Sequence, residues 1–312
     1  MNLDTLISIV AIMLVGMVPR AMPIISAATG ELVDQSAGTL NLGVEGLMLI
    51  GTIVGFLADF YTGNVILAFF LAGLSGLLLS TLHAFASFSL KADQVVSGTA
   101  LWFIGWGLSG VIYRALLGKY LVPPTISPLP HLRIPFLSTV PVIGPIIFGQ
   151  DAFAYFIIAV LIATHYFLFH TQAGLNLRAV GEDPRTAEEM GVNPKLYRYS
   201  ATMFGGFMAG IGGAYLAIAI TGTFYYNLTA GSGFIAVALI YFGKWKPFRT
   251  LLGCLIYGMV YLLFLTIQTH LQSIPYQFFA MWPYLAILII IAAVASRSRA
   301  PSALAKPYEK GE

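Results

Sequence analysis

The sequence predicts an all-α, polytopic integral membrane protein, and three observations support this prediction. Hydrophobic residues make up 58% of the 312 residues. Charged residues make up only 9%, whereas an ordinary soluble domain is about 25% charged. Apolar runs of about 20 residues, the length that crosses a bilayer as a helix, recur along the chain. We therefore expect one membrane-spanning domain over residues 1–312.

Nine apolar runs are candidate spanning helices, and the predicted count is about nine, with a range of eight to ten. Residues 21–33, which follow Pro19 and Pro23, are either a re-entrant half-helix or a tenth crossing. The N-terminus lacks the basic segment of a cleaved signal peptide, so the first run is expected to remain as a span. The nine runs cover residues 5–19, 41–60, 64–88, 95–117, 152–170, 199–220, 229–243, 250–269 and 278–296.

Lysine and arginine residues predict the orientation of the helices. With nine spans and the N-terminus outside, three of these residues lie outside, namely Arg114, Lys119 and Arg133. Cytoplasmic loops carry an excess of basic residues, so the N-terminus is expected outside the cell membrane and the C-terminus in the cytoplasm. The net charge of +3 is scattered over short loops, which argues against nucleic-acid binding. The other thirteen basic residues are expected on the cytoplasmic side, and they are Arg20, Lys91, Arg178, Arg185, Lys195, Arg198, Lys244, Lys246, Arg249, Arg297, Arg299, Lys306 and Lys310.

The segment of about residues 118–151 is rich in proline. It includes Pro123, Pro124, Pro128 and Pro130. Proline fixes φ and lacks an amide donor, so we expect an extracytoplasmic loop, with a short re-entrant piece at residues 140–148 as an alternative for part of it. Loops this long are uncommon without a function. A docking surface for an external partner and a mere connector are both open interpretations.

The largest concentration of charge lies in a predicted cytoplasmic loop of about residues 172–198. Asp183 is expected to cap a short helix that begins at Pro184, because a carboxylate accepts the free amides there and proline has no donor to lose. Gly191 suits the left-handed residue past the helix end, and Pro194 prevents continuation. The loop is therefore expected to hold a helix of about seven residues.

Four polar residues near the ends of the predicted spans are candidates for a solute path. Asn41 and Glu45 are four residues apart, which on a helix puts them on one face. Charged groups at membrane depth are functional candidates, although Glu45 at a helix N-terminus would equally satisfy free amides. Gln94 and Asn227 are the other two candidates, with solvated caps as the alternative.

Catalytic and cofactor sites are not expected. Gly107-Leu-Ser109-Gly110 matches the Gly-x-Ser-Gly motif of intramembrane serine proteases. Gly73-Leu-Ser75-Gly76 matches it equally, so the motif is easily produced by chance in a glycine-rich membrane protein. The histidines lack metal-site spacing. No Gly-x4-Gly-Lys-Ser/Thr phosphate loop is present in the sequence, so the chain does not hydrolyse ATP by that route on its own.

Two stretches resemble ABC-transporter permeases. The first runs from Ser36 to Leu49 (Ser-Ala-Gly-Thr-Leu-Asn-Leu-Gly-Val-Glu-Gly-Leu-Met-Leu), and the second from Gly174 to Ala187 (Gly-Leu-Asn-Leu-Arg-Ala-Val-Gly-Glu-Asp-Pro-Arg-Thr-Ala). The chain is similar over nearly its whole length to the simple-sugar and nucleoside importer branch, within the family that also holds branched-chain amino-acid and ribose permeases.

The resemblance implies an importer that consists of several subunits. The loop helix resembles a coupling helix, which docks on a cytoplasmic ABC ATPase and passes its closure to the membrane helices. The implied partners are that ATPase, a second and longer permease in a heterodimer, and an extracytoplasmic substrate-binding lipoprotein. The substrate is expected to be a nucleoside or a simple sugar. On this resemblance the coupling helix comprises Asp183, Pro184, Arg185, Ala187, Glu188, Met190 and Gly191.

From the residues alone, a self-sufficient secondary transporter or a channel for a small polar solute remains the alternative. Such a protein would also consist of apolar helices with a few polar groups between them. An intramembrane enzyme is the least favoured class.

Overall fold

The computed structural model describes residues 3–118, 120, 122–130, 132, 143–270, 275–295 and 299–308. The all-α prediction is confirmed, since the described residues hold no β-strand and only isolated bridge residues, at Thr125, Thr223 and Asp151. The helices are α1 (Leu3–Ser36), α2 (Val44–Thr62), α3 (Val65–Ala84), α4 (Gln94–Leu117), α5 (Ile143–Phe148), α6 (Ala152–His170), α7 (Gln172–Glu182), α8 (Pro184–Glu189), α9 (Pro194–Tyr215), α10 (Ser232–Gly243), α11 (Pro247–His270) and α12 (Tyr276–Ala295).

Seven helices of the described residues are long and apolar enough to cross a membrane. Two of them include π-helical turns that extend α3 to Ser89 and α9 to Thr221. A polytopic membrane protein is therefore confirmed. The seven candidate spans are Met13–Ser36, Val44–Thr62, Val65–Ser89, Gln94–Leu117, Ala152–His170, Pro194–Thr221 and Pro247–Gln268.

Helix α1 corrects the expected break after the first span. Residues 5–19 and 21–33 belong to one helix, Leu3–Ser36, with two prolines inside it. In an apolar environment a helix is still the best way to satisfy backbone polar groups. Neighbouring helices and side chains can satisfy the carbonyl groups that proline leaves without a donor. Arg20 lies within this helix, with its guanidinium carbon 5.9 Å from the ring centre of Tyr261, and not in a loop after a first span that ends at residue 19.

Helix α10 explains part of the difference between seven spans and the predicted nine. It has 12 residues, which is about 18 Å of helix against a hydrocarbon core of about 30 Å. It packs against α1, α11 and α12. The predicted span at residues 229–243 is therefore a short helix preceded by a turn.

Helix α9 lies at the centre of the bundle, where it packs against α1, α2 and α3. A Cβ atom on Gly210 would lie 2.2 Å from the carbonyl oxygen of Ala72, and one on Gly213 would lie 2.1 Å from that of Met48. These distances require glycine, because membrane helices pack by close backbone approach. Small residues therefore mediate the packing of α9 on α2 and α3.

The proline-rich loop contacts the segment that follows α9. The amide of Ile126 donates to the carbonyl oxygen of Gly222 at 2.8 Å, and the hydroxyl of Thr223 donates to that of Pro124 at 2.9 Å. The predicted re-entrant piece at residues 140–148 lies partly outside the described residues. Its remainder forms the six-residue helix α5.

Candidate functional site

Helix α8 has the end structures that the sequence predicts. One carboxylate oxygen of Asp183 accepts the amides of Arg185 at 3.1 Å and Thr186 at 3.3 Å. The other accepts the hydroxyl of Thr186 at 2.6 Å. Pro184 is the first helical residue, and Gly191 has φ +85°. The helix has six residues instead of about seven.

The charge of Asp183 contributes to the N-terminal cap of α8. Hydrogen bonds from Thr186 hold the pKa of Asp183 below its usual value. The carboxylate is therefore ionised near neutral pH, where it completes the cap and complements the positive end of the helix.

Helix α8 has an inner and an outer side. Ala187 is buried against the protein, whereas the side chain of Met190 is 79% exposed. The two residues predicted to supply apolar contact therefore differ: Ala187 packs inward, and Met190 is available to a partner. Open space surrounds Gly191. Arg185 is exposed and Glu188 is half-buried.

The predicted placement of Asn41 and Glu45 on one helix face is wrong. Helix α2 begins at Val44, and Asn41 lies in the α1–α2 linker, residues 37–43. The side-chain oxygen of Asn41 accepts the amide of Gly43 at 2.8 Å. Asparagine competes with helix formation through such local bonds, and Gly38, at φ +85°, provides the turn that begins the linker.

Glu45 joins α2 to the beginning of α10. One carboxylate oxygen accepts the hydroxyl of Thr229 at 2.5 Å and the amide of Gly231 at 2.7 Å. The other accepts the amide of Gly233 at 2.6 Å. Glu45 is buried. Glu45 therefore accepts free helix amides, as the alternative interpretation stated. Those amides belong to the start of α10, however, and not to α2.

Gln94 and Asn227 occupy different surroundings. Gln94 is buried at the first residue of α4, and its side-chain oxygen accepts the amide of Leu40 at 2.9 Å. It therefore anchors the α1–α2 linker and is not a solvated cap. Asn227 is exposed, with φ +60°, in the turn before α10. Asn41, Glu45 and Gln94 thus meet at the linker and the α2 start, whereas Asn227 has no bond to them among the described contacts.

A buried polar cluster at the end of α1 was not predicted as a unit. It consists of Glu31, Asp34, Gln35, Thr202 and Trp245, from three segments of the chain. The side-chain NH2 of Gln35 donates to the carboxylate of Glu31 at 3.0 Å, and the indole of Trp245 donates to the side-chain oxygen of Gln35 at 3.0 Å. Asp34 accepts the hydroxyl of Thr202 at 2.6 Å.

The polar cluster is continuous with the linker. The backbone amide of Asn41 donates to Glu31 at 3.2 Å. Two acids three residues apart, next to the linker, were the only signal in the sequence. Thr202 and Trp245 lie more than 160 residues away along the chain, so sequence spacing does not reveal them.

The serine of the protease-like motif has a structural role. The hydroxyl of Ser109 donates to the carbonyl oxygen of Trp106 in its own helix at 2.9 Å. This back-bond is common for serine within membrane helices.

Comparisons with known proteins identify the family. The family described as the permease component of the branched-chain amino acid transport system matches residues 7–295. The guanosine ABC transporter permease protein of Bacillus subtilis is 32% identical over 98% of this chain and 99% of its own length. The nucleoside ABC transporter permease protein of Lactococcus lactis is 34% identical over 99% of both chains.

A protein of Haloferax volcanii, named as a candidate glucose ABC transporter permease, is 33% identical over 94% of this chain and 96% of its own length. No solved structure matches the chain. Family membership implies a separate ATPase and a substrate-binding protein. The chain therefore belongs to the branched-chain amino acid transport system permease family, and it is a transporter subunit and not an enzyme.

Proposed function

We propose that this chain is one permease subunit of an ATP-driven importer for nucleosides or simple sugars. The printed functions of its relatives support this substrate range: one is named for guanosine, one for nucleosides and one for glucose. The structural observation that carries the proposal is helix α8, a short rigid helix with an exposed face. An ATP-driven transporter subunit without its own phosphate loop needs such a contact with an ATPase.

We propose that α8 is the coupling helix. Asp183, Pro184 and Gly191 give it defined ends. Met190 and Arg185 would contact the ATPase, because both are exposed. Ala187 would carry the motion inward, since it is the buried residue of the helix, and the half-buried Glu188 ties it to the C-terminal segment. Helices α7 and α9 flank α8 and would act as its levers.

The translocation path is proposed to run beside the α1–α2 linker and the start of α10. Asn41, Glu45 and Gln94 would shape this path by holding the linker and α10 in place, because a side-chain oxygen of each already accepts a backbone amide. Asn227 has an exposed side chain before α10. It would therefore be the candidate that can contact solute directly.

The proposed topology is one domain over residues 1–312 with nine crossings, the N-terminus outside and the C-terminus in the cytoplasm. Seven candidate spans and the 20-residue helix α12 make eight. The ninth crossing would be completed by the short helix α10 together with the turn before it, because non-helical backbone is tolerated at membrane depth where protein buries it. An odd number places the two termini on opposite sides. The excess of basic residues on the predicted cytoplasmic side supports this orientation.

The proposed assembly is a heterodimer with a different, longer permease, two ATPase sites and a substrate-binding lipoprotein outside. The proline-rich loop, residues 118–151, would then be a docking surface for the lipoprotein. Its contacts with Gly222 and Thr223, at the end of α9, would place that surface near the outer end of the central helix.

Uptake by the reconstituted transporter tests this function. The complex with its ATPase, partner permease and binding protein is placed in liposomes and supplied with labelled guanosine, adenosine or glucose. We expect ATP-dependent accumulation of one of these, and its loss when Pro184 and Gly191 are both changed to Ala. Gly107→Ala is the control, since open space surrounds that residue. Accumulation that does not need ATP would instead indicate a secondary transporter or channel.

Thiol labelling tests the orientation. The native Cys254 is buried, so an introduced cysteine gives the only signal expected from a folded chain. Glu189→Cys on α8 should resist an impermeant maleimide added to intact cells, whereas Thr62→Cys, at the exposed last residue of α2, should react. The reverse pattern would overturn the proposed orientation.

A further inference from the structure

The C-terminal segment, residues 299–308, lies directly against the region of α8. The amide of Ala303 donates to the carbonyl oxygen of Gly181 at 3.0 Å. The amide and hydroxyl of Ser302 donate to Glu182 at 3.2 and 2.9 Å. Tyr308 donates its hydroxyl to the carboxylate of Glu188 in α8. The segment therefore contacts α8 itself and the end of α7 just before it.

The same segment also holds the α1–α2 linker. The amide of Ala305 donates to the carbonyl oxygen of Gly38 at 3.2 Å. Arg198, which is buried in α9, donates to the carbonyl oxygens of Lys306 at 3.3 Å and of Ala37 at 3.2 Å. One guanidinium thus binds the segment and the linker together.

Close packing leaves little freedom at this junction. A Cβ atom on Gly181 would lie 2.1 Å from the carbonyl oxygen of Ser36. One on Gly38 would lie 3.3 Å from that of Ala303. Three segments of backbone therefore touch here: the end of α7, the linker and residues 299–308.

The phenol of Tyr308 remains a donor at physiological pH. Partial burial and the neighbouring Glu188 carboxylate raise its pKa to about 12. At neutral pH the phenol therefore keeps the proton that it donates to Glu188.

The linker in turn reaches the proposed path. Gln94 holds Leu40, and Glu45, two residues after the linker, holds the start of α10. A displacement of Gly38 would therefore be passed to groups at the beginning of both α2 and α10. Among the described helices, the main packing partners of α8 are α7 and α9, the helices that flank it in sequence.

We propose that residues 299–308 form a strap that transmits the motion of α8 to the α1–α2 linker, with Tyr308 and Ser302 as positioning residues. This proposal rests on the proposed role of α8 as the coupling helix. The strap makes the linker, and through it α10, follow α8 when the ATPase closes.

The test uses the complete reconstituted transporter with a chain that ends at residue 299, and with Tyr308→Phe. Three quantities are measured: ATPase retained during purification, ATP hydrolysed, and solute taken up per ATP. We expect the shortened chain to retain the ATPase and to hydrolyse ATP, while uptake per ATP falls about tenfold, a typical coupling between sites. Tyr308→Phe should show a smaller fall in uptake per ATP.

Tyr61→Phe is the matched control, because this tyrosine is exposed at the end of α2, away from α8. Unchanged uptake per ATP in the shortened chain would overturn the strap. Loss of the ATPase during purification would also overturn it, since the segment would then be a docking surface. The α8 double variant separates the two proposals: if it too keeps normal uptake per ATP, the coupling role of α8 fails; if it alone loses uptake, only the strap fails.

Discussion

The carboxylate of Glu45 in α2 accepts the backbone amide of Gly233, 2.6 Å away, at the start of α10. Glu45 is the second residue of one apolar helix and at the same time the acceptor for the free amides of another. A short helix that begins among other apolar helices has few ways to satisfy those amides, because lipid offers no acceptor. This single contact therefore explains why an acid lies inside a candidate span.

Glu45→Ala should lower the thermal stability of the purified protein. The change leaves the hydroxyl of Thr229 and the amides of Gly231 and Gly233 without an acceptor, at about 1–3 kcal/mol for each buried group. The melting temperature of Glu45→Gln should lie between those of wild type and Glu45→Ala, since the glutamine side-chain oxygen can still accept some of these hydrogen bonds. Thermal unfolding in detergent measures the effect. Glu189→Ala, at an exposed position, is the control. A Glu45→Ala variant that melts like wild type would contradict the role of Glu45 in holding the start of α10.

Gly210→Ala should prevent correct packing of α9 on α3. The added methyl group would lie 2.2 Å from the carbonyl oxygen of Ala72, so the helices would have to separate. We expect less monodisperse protein in gel filtration and a lower melting temperature. Gly107→Ala, where nothing lies within 4 Å, should behave as wild type. Equal yields from both variants would show that α3 and α9 do not need this close approach.

Asp183→Ala should weaken coupling more than Asp183→Asn. Asparagine keeps an oxygen that accepts the amides of Arg185 and Thr186, whereas alanine leaves the helix end without a cap. Uptake per ATP is the measurement, and we expect a loss of several fold for alanine. Identical losses in the two variants would mean that the charge of Asp183, and not the cap, is what coupling needs.

Thr202→Val should destabilise the junction of α1 and α9. The hydroxyl of Thr202 donates to the buried carboxylate of Asp34 at 2.6 Å, and its removal leaves that oxygen without this donor, at about 1–3 kcal/mol. Thermal unfolding should show a lower midpoint. Thr99→Val is the matched control, because its hydroxyl bonds only to its own helix. A midpoint no lower than that of the control would argue against a role of Thr202 in stability.

Most of the helices could be predicted from the sequence. The predicted span at residues 152–170 agrees with α6 at both ends, and that at 95–117 differs from α4 by one residue. The prediction works because hydrophobicity over about 20 residues is a local property. The ends of α8 were predictable for the same reason, since Asp183, Pro184 and Gly191 act within one turn of helix.

The failures have a common cause in contacts that are distant in sequence. Two prolines suggested a break that neighbouring helices made unnecessary in α1. Asn41 lies in a linker and not on a helix, and Gln94 holds that linker across 54 residues of sequence. Neither arrangement leaves a periodic pattern in the sequence.

Local sequence was sufficient to predict the membrane class, most of the spans and the capped helix α8, because hydrophobicity and capping depend on neighbouring residues. The partners of Glu45, the buried cluster around Asp34 and Thr202, and the place of residues 299–308 between α8 and the linker became visible only in the folded chain. These depend on hydrogen bonds between segments far apart in the chain. Buried polar groups must find a partner somewhere, but their own sequence does not say where.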